Sequence, residues 1–205
     1  DHPDAIDFIS YSIGLSDGYN IVKYNGKIYI NSPPKITSSA PEIINLGDTL
    51  RYPVLTEDAN TKMFNNELKK NSFNYKIIRS PDNAVFLDNN LIWIPDDNTI
   101  GHNEFSFSVS DGLIRDIQTF NILVNDIPKI LNQDTIFIET ESELLYKIIT
   151  KDLNEKDKID IDIVNNALGI ILSNDSLLWT PDTGHLGNHI INLRVNDGKI
   201  DFDND

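Results

Sequence analysis

The chain has 205 residues, enough for one or two domains, and 40% of them are apolar, enough to bury a core rather than stay disordered. Thirty-two acidic residues against 17 Lys and Arg leave a formal net charge of -15. That balance disfavours nucleic-acid phosphate as a partner and suits divalent cations wherever carboxylates cluster. There is no cysteine, so disulfides and thiol chemistry are excluded, and no apolar run is long enough to span a bilayer as a helix.

Asp1-His2-Pro3-Asp4 has neither the basic nor the apolar region of a signal peptide, so the chain reads as a window from a longer product. Tyr11, Ile13 and Leu15 then alternate with small residues as in a strand, Ser16-Asp17-Gly18 turns, and a further strand is expected over Lys27 to Ile30. Gly14-Leu15-Ser16-Asp17-Gly18 fits the G-x-S-x-G nucleophile pattern literally, but that pattern carries catalysis only at a strand-to-helix elbow. Pro34-Lys35-Ile36 opens a longer unit, and Thr61 to Ser72 reads as an inserted loop with one or two helical turns. Asp88-Asn89-Asn90 is a turn into Leu91-Ile92-Trp93-Ile94-Pro95-Asp96. Phe105, Phe107 and Val109 alternate with Ser106, Ser108 and Ser110 as a half-buried strand, and Asp111-Gly112 turns into a return strand carrying Phe120, Ile122 and Val124. Farther on, Ser173 to Ser176 turns into a second Trp strand, Leu177 to Trp179. His185 and His189 sit in a Gly-rich loop, where helical metal-ligand spacing is not expected to bring them together.

These elements recur. Leu91, Trp93, Pro95, Asp96, Gly101, Val109, Asp111 and Gly112 return as Leu177, Trp179, Pro181, Asp182, Gly187, Val195, Asp197 and Gly198, an offset of 177 − 91 = 86 without a gap. Pro34-Lys35-Ile36 returns as Pro128-Lys129-Ile130, an offset of 128 − 34 = 94, and the difference of 8 locates the insertion between Asn60 and Trp93. Tyr11, Ile13 and Leu15 precede Phe105, Phe107 and Val109 by the same 94. Residues 1–33 are therefore expected to be the last strands of a preceding repeat, 34–127 a complete repeat, and 128–205 a repeat that lacks its last strand. That strand is expected about eight residues after Asp111, and only 205 − 197 = 8 residues follow Asp197. Units near 90 residues with many short strands predict an all-β fold of tandem immunoglobulin- or cadherin-like β-sandwiches.

Leu-x-Trp-x-Pro-Asp, then Gly, then Val-x-Asp-Gly resembles the dystroglycan-type cadherin-like and immunoglobulin-like repeats of bacterial surface proteins. Val124-Asn125-Asp126-Ile127-Pro128 is similar to the Asn-Asp-x-Pro linker between cadherin repeats. The resemblance covers the chain from about Ile9 onward and implies an extracellular or cell-surface, non-catalytic spacer or adhesin. Its partners would be other domains of the array, a cell-surface protein or a glycan. It also implies calcium at the junctions between repeats. The second junction offers Asp152 and Asn154, Asp197, and Asn125 with Asp126; the first offers Asp58, Asn60 and Asp111, with Asn31-Ser32 as its linker. Two departures are visible. Asp-x-Asn replaces the cadherin Asp-x-Asp, and Trp-x-Pro-Asp stands in place of the Leu-Asp-Arg-Glu segment. The C-terminal Asp201-Phe202-Asp203-Asn204-Asp205 reads as an acidic linker.

Two other functions follow from the same residues. Trp93 and Trp179 would serve a carbohydrate-binding module if their rings faced solvent in a groove, although recurrence at one repeat position favours packing. A leading piece with a final strand, and a last repeat without one, would allow copies to join head to tail by strand complementation.

Overall fold

The computed structural model describes residues 8–59, 73–132 and 135–199. The predicted helical insertion Thr61 to Ser72, Asn60 and the acidic C-terminus lie outside the described residues. Apart from two single 3-10 turns, the described elements are strands. In chain order they are β1 (Phe8–Ser16), β2 (Ile21–Tyr29), β3 (Lys35–Ile36), β4 (Ile43–Asn45), β5 (Leu50–Pro53), β6 (Thr56–Glu57), β7 (Asn74–Arg79), β8 (Val85–Leu87), β9 (Asn90–Trp93), β10 (Gly101–Ser110) and β11 (Arg115–Asn125). The second half continues with β12 (Lys129–Ile130), β13 (Leu144–Lys147), β14 (Thr150–Lys151), β15 (Asp160–Ile163), β16 (Ile171–Ser173), β17 (Ser176–Trp179) and β18 (Leu193–Asn196). The described residues fall into two compact units. One lies within Asp1–Glu42, Thr49–Ile94 and Asn103–Ile122, the other within Ile43–Asp48, Pro95–His102 and Leu123–Asp205.

Each Trp strand is the centre of a three-stranded sheet, ordered β5-β9-β8 around Trp93 and β13-β17-β16 around Trp179. Leu50 lies opposite Trp93 in one register and Leu144 opposite Trp179 in the other. Likewise β3 pairs with β6 and β12 with β14, and β10 pairs with β7 as β18 does with β15. The turns that lead into the Trp strands hold Asp88 at φ 54, Asn174 at φ 46 and Asp175 at φ 60. Asn and Asp tolerate this left-handed region because their short side chains bond locally. After each Trp-x-Pro, the Asp caps a 3-10 turn. Asn98 N–H donates to Asp96 Oδ1 at 2.9 Å, and Gly184 N–H donates to Asp182 Oδ1 at 2.8 Å.

The core of the first unit is aromatic. Trp93 and Phe107 are each 1% exposed, Trp93 packs edge-on against Phe105 with ring centroids 5.1 Å apart, and Phe105 stacks on Phe120 at 5.3 Å. The Tyr52 hydroxyl reaches this core yet stays bonded, donating to Gln118 Oε1 at 2.8 Å. Strand β10 departs from the half-buried pattern, for Ser106 and Ser108 are buried along with Phe105, Phe107 and Val109. It lies between β11 and β7, and Thr119 Oγ1 donates to Ser106 Oγ at 3.0 Å, so that hydroxyl is satisfied. The core of the second unit is aliphatic and smaller, centred on Ile148, Ile170 and Leu177 with Ile163, Leu193 and Trp179 against it.

Two boundaries differ from expectation. The N-terminal return strand runs over Ile21–Tyr29 rather than Lys27 to Ile30, because cross-strand pairing with β1 starts directly at the Asp17-Gly18 turn. Strand β11 begins at Arg115, four residues after Asp111, since Asp111 itself closes the turn. The corresponding residues after Asp197 lie outside the described residues.

Candidate metal centre

The second unit gathers three acidic side chains from two separate segments. Asp152 and Asp157 come from the loop after β14, Asp197 from the turn after β18, and carboxylate oxygens of all three lie within 4.8 Å of one another. The linker after β11 closes the group. Asn125, 1% exposed, donates from Nδ2 to Asp197 Oδ2 at 2.7 Å. Asn125 Oδ1 and Asp152 Oδ2 are buried without a hydrogen-bond partner. Asp157 pairs with Lys199 Nζ at 3.4 Å.

Asp126 and Asn154 tie the linker to the loop after β14. Asp126 N–H donates to Asn154 Oδ1 at 2.6 Å, Leu153 N–H to Asp126 Oδ2 at 3.1 Å, and Asn154 Nδ2 to the Val124 carbonyl at 3.1 Å. These bonds join the linker to the loop, and Asn154 N–H donates to Asp152 Oδ1 at 2.7 Å. Lys129 Nζ lies 3.7 Å from Asp126 Oδ1. Four carboxylates and two ammonium groups leave a formal charge of −4 + 2 = −2, which one divalent cation would balance. Two carboxylates 4.8 Å apart repel by about 3.5 kcal/mol at an effective dielectric near 20. Carboxylate and amide oxygens are the hard ligands that calcium takes.

Burial pushes the Asp152 carboxyl above its ordinary 3.8, and the charges of Asp197, Asp126 and Asp157 add to the rise, against the Asn154 N–H bond that lowers it. A raised carboxyl holds its proton better in the folded chain, so its contribution is favourable at low pH and is lost as pH rises through the folded value. Asp152→Asn is therefore expected to raise the chelator-treated melting temperature at pH 7. That gain should shrink towards zero on acidification to about pH 4. Paired melts of the two chains across pH check this; a gain that grows with acid would contradict it.

Among the described residues, the first unit shows part of this arrangement. Asn31 Nδ2 donates to Asp111 Oδ2 at 2.8 Å, the counterpart of the Asn125–Asp197 bond. Burial pushes the Asp111 carboxyl up, but the Asn31 amide and the Ile114 and Leu113 N–H groups outweigh it and hold the carboxyl below 3.8. Asp58 lines a surface cleft with Ser32, Lys35 and Glu57, and is not among the carboxylates that converge. Position 32 is Ser where the second linker has Asp126, and Asp157 falls where the first repeat carries its insertion, so the repeat gives it no counterpart. Asp157 was not singled out by the repeat comparison for that reason. Its signal was the local spacing Asp152-x-Asn154-x-x-Asp157.

The two tryptophans differ. Trp93 is enclosed and offers no stacking face. Trp179 is half-buried, with His185 and His189 edge-on at 5.3 and 6.3 Å. The two imidazole rings lie 6.3 Å apart, on a loop shaped by the 3-10 turn Thr183–His185 and Gly187 at φ 127. His189 Nε2 bonds the His185 carbonyl at 2.9 Å, and His185 Nδ1 bonds Asp182 at 2.8 Å. Gly14 to Gly18 forms a strand and a β-turn rather than a nucleophile elbow; Asp17 Oδ1 accepts from Tyr19 and Asn20 N–H.

Strand content, sheet order and repeated Trp strands define an all-β chain of the cadherin and immunoglobulin class. No family model matches the chain, and no curated protein matches it. Among solved structures it is similar to the N-terminal eight Ig domains of Down Syndrome Cell Adhesion Molecule, with TM-score 0.50 and 14% identity over 93% of this chain and 31% of that one. It is also similar to mouse Protocadherin-24 EC1-3, with TM-score 0.34 and 14% identity over 85% and 66%. A third is an endo-fucoidan hydrolase from glycoside hydrolase family 107, with TM-score 0.36 and 17% identity over 97% and 33%. The chain spans about a third or less of the length of the first matched structures. Among the described residues, no helix is long and apolar enough to cross a membrane.

Proposed function

We propose that the chain is a non-catalytic, structural and adhesive repeat segment of a secreted or cell-surface protein, with repeats at 34–127 and 128–205 and the end of another at 1–33. A calcium ion held by Asp152, Asp157 and Asp197, with Asn125 Oδ1 as a neutral ligand, would fasten the Asn125–Asp126 linker to the second sandwich. The observation that supports this most is the convergence of three carboxylates within 4.8 Å beside two buried, partnerless oxygens. Other domains of the array, or a surface protein or glycan, would be its partners.

The test is thermal unfolding of the whole chain in excess chelator and in several millimolar calcium. An extracellular-type affinity of roughly 10⁻⁴–10⁻³ M predicts a gain on the order of 1–3 kcal/mol, read as a higher midpoint for the second unit. Asp152→Asn should remove most of that response while raising the chelator midpoint. Identical midpoints with and without calcium would dismiss the ion.

A further inference from the structure

The hairpin β1–β2 presents one largely apolar face. Ile13 lies opposite Tyr24, Leu15 opposite Val22 and Ile9 opposite Ile28, and directly opposed residues share one face. All six are more than half exposed, with Leu15 at 73% and Val22 at 68%. The other face of β1 carries Ser10, Ser12, Gly14 and Ser16. Tyr11 opposes Gly26, and a Cβ on Gly26 would meet the Tyr11 ring at 2.3 Å, so glycine there lets the ring lie across the neighbouring strand. A two-stranded hairpin with an open apolar face is marginal by itself.

The same chain shows what covers such a face. At an offset of 94, Tyr11, Ile13 and Leu15 stand where Phe105, Phe107 and Val109 stand, and Ile28 where Ile122 stands. Those four counterparts are 1%, 1%, 0% and 0% exposed. The turns agree as well. Gly18 N–H donates to Ser16 Oγ and Tyr19 N–H to Asp17 Oδ1, as Gly112 does to Ser110 Oγ and Leu113 to Asp111 Oδ1. In the first unit Phe105 and Phe107 are packed by Trp93 of β9, Tyr52 of β5 and Phe86 of β8. We propose that β1–β2 is the receiving half of a further β-sandwich, and that its apolar face is covered by the three-stranded antiparallel sheet of a preceding repeat of the same array. This rests on the repeat correspondence and is independent of the cation.

The probe is a second copy of residues 34–104 joined directly ahead of Tyr11 in the whole chain, which restores the 94-residue register. Amide exchange in β1 and β2 should slow on the order of 100-fold relative to the parent chain, and Ile13→Asp in the extended chain should abolish the slowing. The parent should also bind an apolar fluorescent dye that Leu15→Asp displaces, with Trp93 emission unchanged. Equally fast exchange in both chains, a parent that binds no dye, or a parent that forms a dimer protecting these amides each overturns the assignment. The dimer would instead favour strand complementation between copies.

Discussion

Trp93→Ala is expected to destabilise the first unit by about 3–5 kcal/mol, while Trp179→Ala costs the second unit roughly half as much. The difference is one of surroundings. Trp93 is 1% exposed and edge-packed on Phe105, which is stacked on Phe120 almost coplanar, at 3°. Removing the indole leaves a void that the stacked pair cannot close, so both the transfer and the cavity contributions are lost. Trp179 is only half-buried and its edge partners are the two imidazoles, so water can enter the space it leaves. Each single variant retains one indole as a reporter, since the chain has two. Denaturant unfolding of both variants, with core amides in each unit followed by exchange, gives the comparison. Equal losses would show that the two packings are energetically alike.

The second large effect concerns Asp197. Its Oδ2 accepts from buried Asn125 and its Oδ1 from the Lys199 N–H at 2.9 Å. Asp197→Ala strands a buried amide donor, so a loss of about 1–3 kcal/mol is expected in chelator. In calcium the gap should widen, because the variant also lacks a ligand. Asp197→Asn retains an acceptor oxygen for Asn125 and should recover much of the chelator stability without recovering the calcium response. Asp111→Ala is the matched control, for it breaks the equivalent bond from Asn31 where, among the described residues, no acidic cluster forms. It should lower stability equally in calcium and in chelator. An Asp197→Ala chain that still gains from calcium as the parent does would remove Asp197 from the metal centre.

Much of the fold was legible because repetition amplifies weak local signals. Leu-x-Trp-x-Pro-Asp placed the central strand of each three-stranded sheet, and Asp-Gly placed each turn after the long strands. The candidate site was legible where it repeats and obscure where it does not. Asn125 and Asp197 have counterparts in Asn31 and Asp111 that bond in the same way, whereas Asp157 falls opposite the insertion of the first repeat and has none. Asp126 and Asn154 have the spacing of ligands and also carry loop bonds, their oxygens accepting from Leu153 and Asp126 N–H. Spacing in sequence cannot distinguish an oxygen that faces a cation from one that holds a loop.

The sequence by itself determined the strand class, the repeat period, the acidic balance and the turn residues, all of which follow from local patterning and composition. Only the tertiary structure decided which carboxylates meet, which tryptophan is enclosed and which apolar face stays open. Those outcomes depend on residues far apart in the chain, such as Asn125 and Asp197, being carried together by strand pairing. Desolvation and charge repulsion arise only after that approach, so neither can be read from local order.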